Sequence, residues 1–188
     1  QVHAAVNHVL HATSEDIALS GSANINATGN AYGNIMAGNA GNNIIDGGIG
    51  LDYMTGGDGD DIFIVDETDD RVDGEGGRDI VHAYASFALT GSTEDIRLMG
   101  SANISAVGNA YGNVMVGNDG NNSLEGGAGV DYMYGGGGDD IMHVDNADDV
   151  AEGGDGRDQV FSSSSHAIHA TTEEVVLFGT ANVSAVGN

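Results

Sequence analysis

The amino-acid sequence predicts an all-β solenoid in which short strands stack into successive coils. One observation is a long repeat, because segment 21–25 recurs with small changes at 100–104 and at 179–183, each time 79 residues later. Another is a nine-residue period inside each copy. The third is composition: 32 of 188 residues are glycine, and each glycine costs an α-helix about 1 kcal/mol relative to alanine. Together these observations disfavour helices and favour turns that alternate with short strands.

The 79-residue spacing divides the chain into two full copies and the start of a third. We expect residues 1–79 to form the first copy, residues 80–158 the second, and residues 159–188 the beginning of the third, in one continuous solenoid. Both ends of the chain fall inside a copy and residue 1 is not methionine. We therefore expect a piece of a longer array, or a processed product.

Six consecutive nonapeptides occupy each copy, from Gly29 to His82 and from Gly108 to Phe161. Their first six residues are rich in glycine and predict a turn, since glycine accepts a positive φ at little cost. The last three predict a short strand whose middle residue, at position 8, points inward. Position 8 is apolar in all twelve nonapeptides, and position 6 is Asn or Asp in all twelve.

The segment 83–99, with its equivalents 1–20 and 162–178, breaks the nine-residue register. Ile96 and Leu98 alternate with polar residues there, which predicts a loop followed by one half-buried strand. Each copy then holds about eight strand segments, or about four coils of two strands. An even number keeps equivalent strands of successive copies on the same face.

Several nonapeptides match the pattern G-G-x-G-x-D-x-U-x, in which U is a large apolar residue. This pattern resembles the RTX, or hemolysin-type, calcium-binding repeat, here inside a large tandem repeat of 79 residues. Residues 74–82 depart from the pattern because Glu75 replaces the second glycine. The full matches are residues 47–55, 56–64, 126–134, 135–143 and 153–161.

The resemblance implies a parallel β-roll, in which two nonapeptides form one coil and Ca²⁺ lies between glycine-rich loops stacked on the same side. Calcium is a hard cation that takes six to eight oxygen ligands, which carboxylates at position 6 and backbone carbonyls can supply. We expect roughly three or four Ca²⁺ in each copy. Loops on one side are two nonapeptides apart, so the expected pairs are Asp52 with Asp70, Asp61 with Asp79, Asp131 with Asp149, and Asp140 with Asp158.

Further ligands are expected on the same basis. The fifth loop of each copy has lost its glycines, and we expect Asp66 and Asp145 to replace the missing carbonyls with carboxylates. The backbone ligands are expected at Gly47, Gly50, Gly56, Gly59, Gly126, Gly129, Gly135 and Gly138. Two alternatives stay open for the loops with Asn34, Asn43, Asn113 and Asn122 at position 6. These loops are either weaker calcium sites or are held by stacked Asn hydrogen bonds.

Charge and composition exclude several classes of function. The chain has 29 acidic and 4 basic residues, a net charge of −25, which opposes binding to nucleic acid or to an anionic membrane surface. No apolar run is long enough to cross a bilayer, so we expect no membrane insertion. Cysteine is absent, which excludes a disulfide framework. No hydrolase or nucleotide-binding motif occurs, so we expect no catalytic site and no enzyme activity.

Without calcium, the stacked carboxylates repel one another and oppose the compact state. We therefore expect a secreted, extracellular or cell-surface chain that folds on binding Ca²⁺ outside the cell; the resemblance implies type I secretion. The expected function is a structural calcium-binding module of a large secreted or surface repeat protein, as a stalk, surface-layer or filament segment. The alternatives are the C-terminal secretion and folding tail of an extracellular enzyme, and an adhesin region.

The expected partners are further copies of the same repeat. Position 7 of the nonapeptide should face solvent, yet Ile44, Ile62 and Ile80 fall two nonapeptides apart and predict an apolar stripe on one sheet. An exposed apolar stripe is typical of a contact surface, which suggests lateral self-association. The alternative interpretation is the preference of isoleucine for strands.

Overall fold

The computed structural model describes residues 1–167, 171–179 and 183–186. The chain divides into two compact units, Gln1–Asp95 and Ile96–Asn188. Residues 168–170, 180–182 and 187–188, which belong to the predicted start of a third copy, lie outside the described residues.

Unit 1 is built from short parallel strands. Within it, one sheet has the order β1-β3-β5-β7-β9 and the other the order β2-β4-β6-β8-β10, so successive strands alternate between the two sheets. The strands are β1 (Val2–Ala4), β2 (His8–Val9), β3 (Asp16–Leu19), β4 (Ala27–Thr28), β5 (Ile35–Ala37), β6 (Ile44–Asp46), β7 (Tyr53–Asp58), β8 (Ile62–Val65), β9 (Arg71–Gly76), β10 (Ile80–Ala83) and β11 (Phe87–Ala88).

Unit 2 has the same construction. Its strands alternate between a sheet of order β12-β14-β16-β18 and a sheet of order β13-β15-β17-β19-β21, and β20 pairs with β22. The strands are β12 (Asp95–Leu98), β13 (Ser105–Val107), β14 (Val114–Val116), β15 (Ser123–Glu125), β16 (Tyr132–Gly137), β17 (Ile141–Val144), β18 (Val150–Asp155), β19 (Gln159–Ser162), β20 (His166–Ala167), β21 (Glu174–Leu177) and β22 (Ala185–Val186).

Two nonapeptides form one coil, as the sequence predicts. Ile45 of β6 pairs with Phe63 of β8 in parallel register, and Met133 of β16 pairs with Ala151 of β18 in the same way. Paired residues are therefore two nonapeptides apart in sequence. The predicted all-β solenoid of stacked two-stranded coils is confirmed in both units.

The apolar residues at position 8 form the core between the sheets. All twelve are no more than 2% exposed, which confirms that the middle residue of each three-residue strand points inward. They are Met36, Ile45, Met54, Phe63, Val72 and Val81 in the nonapeptides from Gly29 to His82, and Met115, Leu124, Met133, Met142, Ala151 and Val160 in those from Gly108 to Phe161.

The predicted count of eight strands per copy is wrong. Residues 80–158 contain nine strands, β10 to β18. The additional strand is β11, where Phe87 is 3% exposed and is followed by the buried Leu89, so this segment also contributes to the core. An odd count moves equivalent strands to different sheets: β12 and β21 of unit 2 come from the same part of the repeat but lie in different sheets.

Candidate metal centres

The position-6 side chains form a buried ladder along the stacked loops. Oδ1 of Asp61 accepts a hydrogen bond from the backbone N–H of Asn43 at 2.7 Å, and Oδ1 of Asp79 accepts one from the N–H of Asp61 at 2.8 Å. Each bond joins residues 18 apart in sequence, which is one coil. Asp140 and Asp158 repeat the arrangement in unit 2, at 2.9 Å.

Each predicted carboxylate pair is brought together by this ladder. In the other row of loops, Oδ1 of Asp70 accepts from the N–H of Asp52 at 2.9 Å. Oδ1 of Asp149 accepts from the N–H of Asp131 at the same distance. The four predicted pairs therefore consist of side chains on adjacent coils, and all eight aspartates are no more than 5% exposed.

The second carboxylate oxygen of most of these aspartates has no hydrogen-bond partner. A buried oxygen left without a donor costs free energy, roughly 1–3 kcal/mol and more when it is charged. Folded proteins contain few such groups, and each one calls for a physical reason. Among the described residues the oxygens concerned are Oδ2 of Asp52, Asp61, Asp79, Asp131, Asp140 and Asp158.

A backbone carbonyl approaches the same point as the unpartnered carboxylate oxygen. A Cβ atom on Gly56 would contact both Oδ2 of Asp61 and the carbonyl oxygen of Gly74, the latter at 2.7 Å. In unit 2, a Cβ on Gly135 would contact Oδ2 of Asp140 and the carbonyl oxygen of Gly153. An unpartnered carboxylate oxygen and a carbonyl oxygen of the adjacent coil thus converge in a space that a side chain at this glycine would fill. Hard oxygen ligands of this kind fit Ca²⁺.

The remaining predicted glycines also line these loops. Gly47 and Gly126 lie against Oδ2 of Asp52 and Asp131, as Gly56 and Gly135 lie against theirs. The fourth residue of each loop adopts a positive φ, which a side chain would strain. These residues are Gly50, Gly59, Gly129 and Gly138, with φ of 124°, 111°, 135° and 97°.

Burial makes these carboxylates hard to ionise. Desolvation raises the pKa of Asp61 to about 7; a hydrogen bond from Asn43 opposes the rise, and the charge of Asp79 adds to it. A bound cation would offset the free-energy cost of ionising a buried carboxylate, because it stabilises the charged form. Desolvation is also the largest cause of the raised pKa at the other aspartates. It raises the pKa of Asp52 to about 7 and the pKa values of Asp79, Asp131 and Asp140 to about 6. The pKa is raised for the same reason at Asp66, Asp70, Asp145 and Asp158.

The asparagine loops are closed by their own hydrogen bonds. Oδ1 of Asn43 accepts from the N–H of Asn39 at 2.8 Å, and its Nδ2 donates to the carbonyl of Ile25 at 2.6 Å. The Nδ2 of Asn39 donates to the carbonyl of Ala23, one coil earlier, at 3.1 Å. Amide groups therefore bridge adjacent coils here, which is the arrangement that the hydrogen-bonded alternative predicts.

The same closure occurs in the other asparagine loops. Asn30 donates from Nδ2 to the carbonyls of His11 and Ser14 at 2.9 and 2.6 Å, and Oδ1 of Asn34 accepts its backbone N–H. In unit 2, Oδ1 of Asn113 and of Asn122 accepts the N–H of the residue at position 2, namely Asn109 and Asn118.

Position 2 of the loop separates the two kinds of coil. In the asparagine loops it is an asparagine whose N–H closes the loop, as Asn39 does onto Asn43. In the loop of Asp61 it is Gly57, with φ of 102°, and no donor reaches Oδ2 of Asp61. In the loop of Asp79, position 2 is Glu75, with φ of 67°. This conformation costs a residue with a side chain roughly 1–2 kcal/mol.

The fifth loop of each copy differs from the expectation in part. Oδ2 of Asp70 accepts from the N–H of Glu67 at 3.3 Å, and Oδ2 of Asp149 accepts from the N–H of Asn146 at 3.0 Å. Their second oxygens are therefore engaged inside the loop. The Nδ2 of Asn146 also donates to the carbonyl of Gly129 at 2.5 Å, which occupies one lone pair of an expected calcium ligand.

Asp66 and Asp145 are exposed and lie near the unpartnered oxygens. The charge of Asp66 raises the pKa of Asp52, and the charge of Asp145 raises that of Asp131. Both are therefore close enough to influence the predicted sites electrostatically. Their role as ligands stays a prediction.

Two glutamates that the sequence did not single out continue the ladder. Oε2 of Glu94 accepts from the N–H of Asp79 at 2.9 Å, and Oε2 of Glu173 accepts from the N–H of Asp158 at 2.8 Å. The signal was present, because an acidic pair precedes the strand of segment 83–99 and of its equivalents. The spacing did not reveal it, because Glu94 follows Asp79 by 15 residues, whereas neighbouring aspartates of the ladder are 18 residues apart.

No group of three or more His, Cys, Asp or Glu side chains lies close enough to hold a metal in the part of the chain that the structure describes. The described residues also contain no helix that could cross a membrane.

Comparison with known proteins identifies the repeat. The family model described as the RTX calcium-binding nonapeptide repeat matches four times, at residues 28–63, 55–85, 107–142 and 134–165. No curated protein and no solved structure matches the chain. The matches cover more than half of the chain and coincide with the loops that carry the unpartnered carboxylates, so this chain belongs to the RTX calcium-binding nonapeptide repeat family.

Proposed function

We propose that the chain is a structural calcium-binding β-roll module of a large secreted or surface repeat protein, which folds when it meets extracellular calcium. The observation that carries this proposal is the set of buried Oδ2 atoms without a donor, as in Asp61 and Asp140. These atoms lie in the family's nonapeptide loops, and those of Asp61 and Asp140 lie beside a carbonyl oxygen of the adjacent coil. The residues need a cation to complete their coordination.

The charge balance supports coupling between folding and calcium binding. A net charge of −25 with only four basic residues opposes a compact state, since stacked carboxylates repel one another. Binding of divalent ions at these loops offsets that repulsion, and the binding free energy then becomes folding free energy. Weak oxygen sites of extracellular modules work at about 0.1–1 mM Ca²⁺. A chain that stays open at lower calcium is suited to export before folding, which supports secretion.

Several features favour a structural role over catalysis. The acidic positions recur in both copies, as Asp61 and Asp140 do, and they face the interior of the stack. A repeated, buried and uniform site suits a scaffold whose length is its function. A stalk, surface-layer or filament segment therefore accounts for the repeats better than an enzyme tail does.

A calcium titration followed by far-UV circular dichroism tests the proposal, with Mg²⁺ as the control cation because it demands tighter octahedral geometry. We expect a cooperative gain of strand signal with Ca²⁺ near its extracellular concentration and a much weaker response to Mg²⁺. Asp52→Asn/Asp61→Asn should move the midpoint to higher Ca²⁺. Asp58→Asn/Asp60→Asn removes two charges from exposed positions and should move it little. Full strand signal in excess chelator would contradict the proposal.

A further inference from the structure

We infer that a further Ca²⁺ site lies where each block of six nonapeptides ends, formed by an aspartate of the last nonapeptide and a glutamate beyond it: Asp79 with Glu94 in unit 1, and Asp158 with Glu173 in unit 2. The inference rests on the proposed function, because it requires that the loop carboxylates bind calcium. Glu94 and Glu173 lie outside every segment that the family model matches. The nonapeptide pattern therefore does not assign these sites.

The backbone places both glutamates where the next aspartate of the ladder would stand. The N–H of Ile80 donates to the carbonyl of Asp61 at 2.9 Å, and the N–H of Asp95 donates to the carbonyl of Asp79 at 3.0 Å. The carboxylate of Glu94 accepts the N–H of Asp79, just as the carboxylate of Asp79 accepts the N–H of Asp61. Glu94 thus replaces a position-6 aspartate in both its backbone and its side-chain contacts.

Unit 2 shows the same replacement. The N–H of Glu174 donates to the carbonyl of Asp158 at 3.1 Å, and the N–H of Gln159 donates to the carbonyl of Asp140 at 2.9 Å. Glu173 accepts the N–H of Asp158. The glutamate therefore accepts the N–H of the last ladder aspartate in both units.

The second observation is a buried oxygen without a donor in each copy. Asp79 and Asp158 are fully buried at 0% exposure, and Oδ2 of each has no hydrogen-bond partner. In the nonapeptide stack, Oδ2 of Asp61 meets a carbonyl from the following coil. The carboxylates of Glu94 and Glu173 reach the backbone N–H groups of these same two aspartates, which places them next to the unpartnered oxygens in the proposed sites.

A threonine precedes each glutamate and adds oxygen to the site. Thr172 is 4% exposed, and its Oγ1 also has no hydrogen-bond partner. Thr93 is 0% exposed, and its Oγ1 accepts from the N–H of Gly74 at 3.2 Å. Carboxylate and hydroxyl oxygens together form a hard donor set.

The nearby arginine does not neutralise the buried carboxylate. Arg78 donates from Nε and a terminal nitrogen to Asp95, at 2.8 and 2.9 Å, and its side chain is 60% exposed. Arg157 is 74% exposed and lies 3.5 Å from Glu174. Each arginine is thus paired with the outward residue that follows the glutamate, and Oδ2 of Asp79 keeps no partner.

Equilibrium dialysis with radioactive calcium tests the inference on the full chain. Glu94→Gln/Glu173→Gln keeps an oxygen that can accept the N–H of the aspartate but removes the charge. We expect two fewer bound ions than in the wild type, at a Ca²⁺ concentration that just saturates the wild type. Glu15→Gln is the matched control, since Glu15 holds the same place in the first copy and accepts the Nδ2 of Asn34 through its backbone carbonyl.

The outcomes separate the two proposals. A wild type that binds no calcium overturns the proposed function and this inference with it. A wild type that binds calcium, with a double variant of equal stoichiometry and affinity, overturns the inference alone. Circular dichroism in saturating Ca²⁺ reports whether the variant folds. If it does not, anomalous diffraction from wild-type crystals grown with Ca²⁺ decides, because a peak beside Oδ2 of Asp79 is required.

Discussion

Oδ1 of Asp61 accepts a hydrogen bond of 2.7 Å from the backbone N–H of Asn43, and this bond joins two chemically different coils. On one side, the side-chain amide of Asn43 donates to the carbonyl of Ile25 and so hydrogen-bonds to the preceding coil. On the other, Oδ2 of Asp61 lacks any donor. The loop of Asn43 is thus closed by hydrogen bonds, whereas the loop of Asp61 keeps one carboxylate oxygen open for a cation.

Asn43→Asp tests the hydrogen-bonded closure. The substitution removes both Nδ2 hydrogen bonds and directs a carboxylate at the carbonyl of Ile25. We expect the free energy of unfolding in saturating Ca²⁺ to fall by about 2–4 kcal/mol, because a buried donor is lost and a charge is left unpaired. Urea unfolding measures it. Asn42→Asp is the control, since Oδ1 of the exposed Asn42 accepts from the N–H of Asp60 and an aspartate can do the same. Equal losses for both variants would contradict the interpretation.

Calcium removal should affect the two kinds of coil unequally. In chelator, we expect amide hydrogens of β9 and β10, which follow the aspartate loops, to exchange at least about tenfold faster than those of β5 and β6. The reason is that the hydrogen bonds of the asparagine loops, such as those made by the backbone N–H of Asn39 and by Nδ2 of Asn43, do not require a metal. Hydrogen exchange followed by mass spectrometry measures this difference. Uniform loss of protection along unit 1 would show that the asparagine coils have no stability of their own.

Acid should partly replace calcium. The pKa of Asp61 rises from 3.8 to about 7 on folding, so between about pH 4 and pH 7 the folded chain binds more protons than the unfolded chain. Stability without calcium is therefore greatest below about pH 4 and is lost as the pH rises through 7. Far-UV circular dichroism of the chain in chelator should therefore show more strand at pH 5 than at pH 8.

With Ca²⁺ present the pH dependence of stability reverses, so that stability is greater at high pH, because protons compete with the cation for the same oxygens. The calcium midpoint should then be higher at pH 5 than at pH 8. Asp61→Asn/Asp140→Asn should flatten both pH dependences. A calcium-free stability that rises from pH 5 to pH 8 would refute the assignment.

Gly56→Ala tests the crowding at position 1 of the loop. A Cβ there would contact Oδ2 of Asp61 and the carbonyl of Gly74, so we expect a loss of about 3 kcal/mol and weaker calcium binding. Gly21→Ala is the control, because a Cβ on Gly21 meets no atom within 4 Å although its φ is 89°. It should cost only the backbone strain, about 1–2 kcal/mol, with unchanged calcium affinity. Calcium titration calorimetry and urea unfolding separate the two effects.

Lateral self-association stays a prediction, and the structure supplies the surface for its test. Ile44, Ile62 and Ile80 are consecutive partners across β6, β8 and β10, and Ile44 is 39% exposed. We expect Ca²⁺ to promote oligomers in sedimentation velocity, and replacement of the three isoleucines by threonine to abolish them while strand content is kept. A wild type that stays monomeric at high concentration with calcium contradicts this interpretation.

The inward positions could be predicted from the sequence because their period is short and strict. Position 8 needs an apolar side chain and position 6 a small polar one, so Phe63 and Asp61 are identified by spacing alone. Strand β11 could not be found in this way, since two residues at Phe87–Ala88 give no period. Glu94 was missed because the chain reaches it by a shorter path than a pair of nonapeptides, and only the pairing of backbone groups shows the equivalence.

The closed coils change what an array of such repeats requires from its surroundings. A coil bridged by Asn39 and Asn43 adds length and core without adding a site that must be filled. We therefore expect the proportion of Asn to Asp coils to set how steeply folding responds to the calcium concentration of the medium, independently of the number of coils. A lineage can extend its reach by duplicating asparagine coils, and sharpen its dependence on the environment by duplicating aspartate coils.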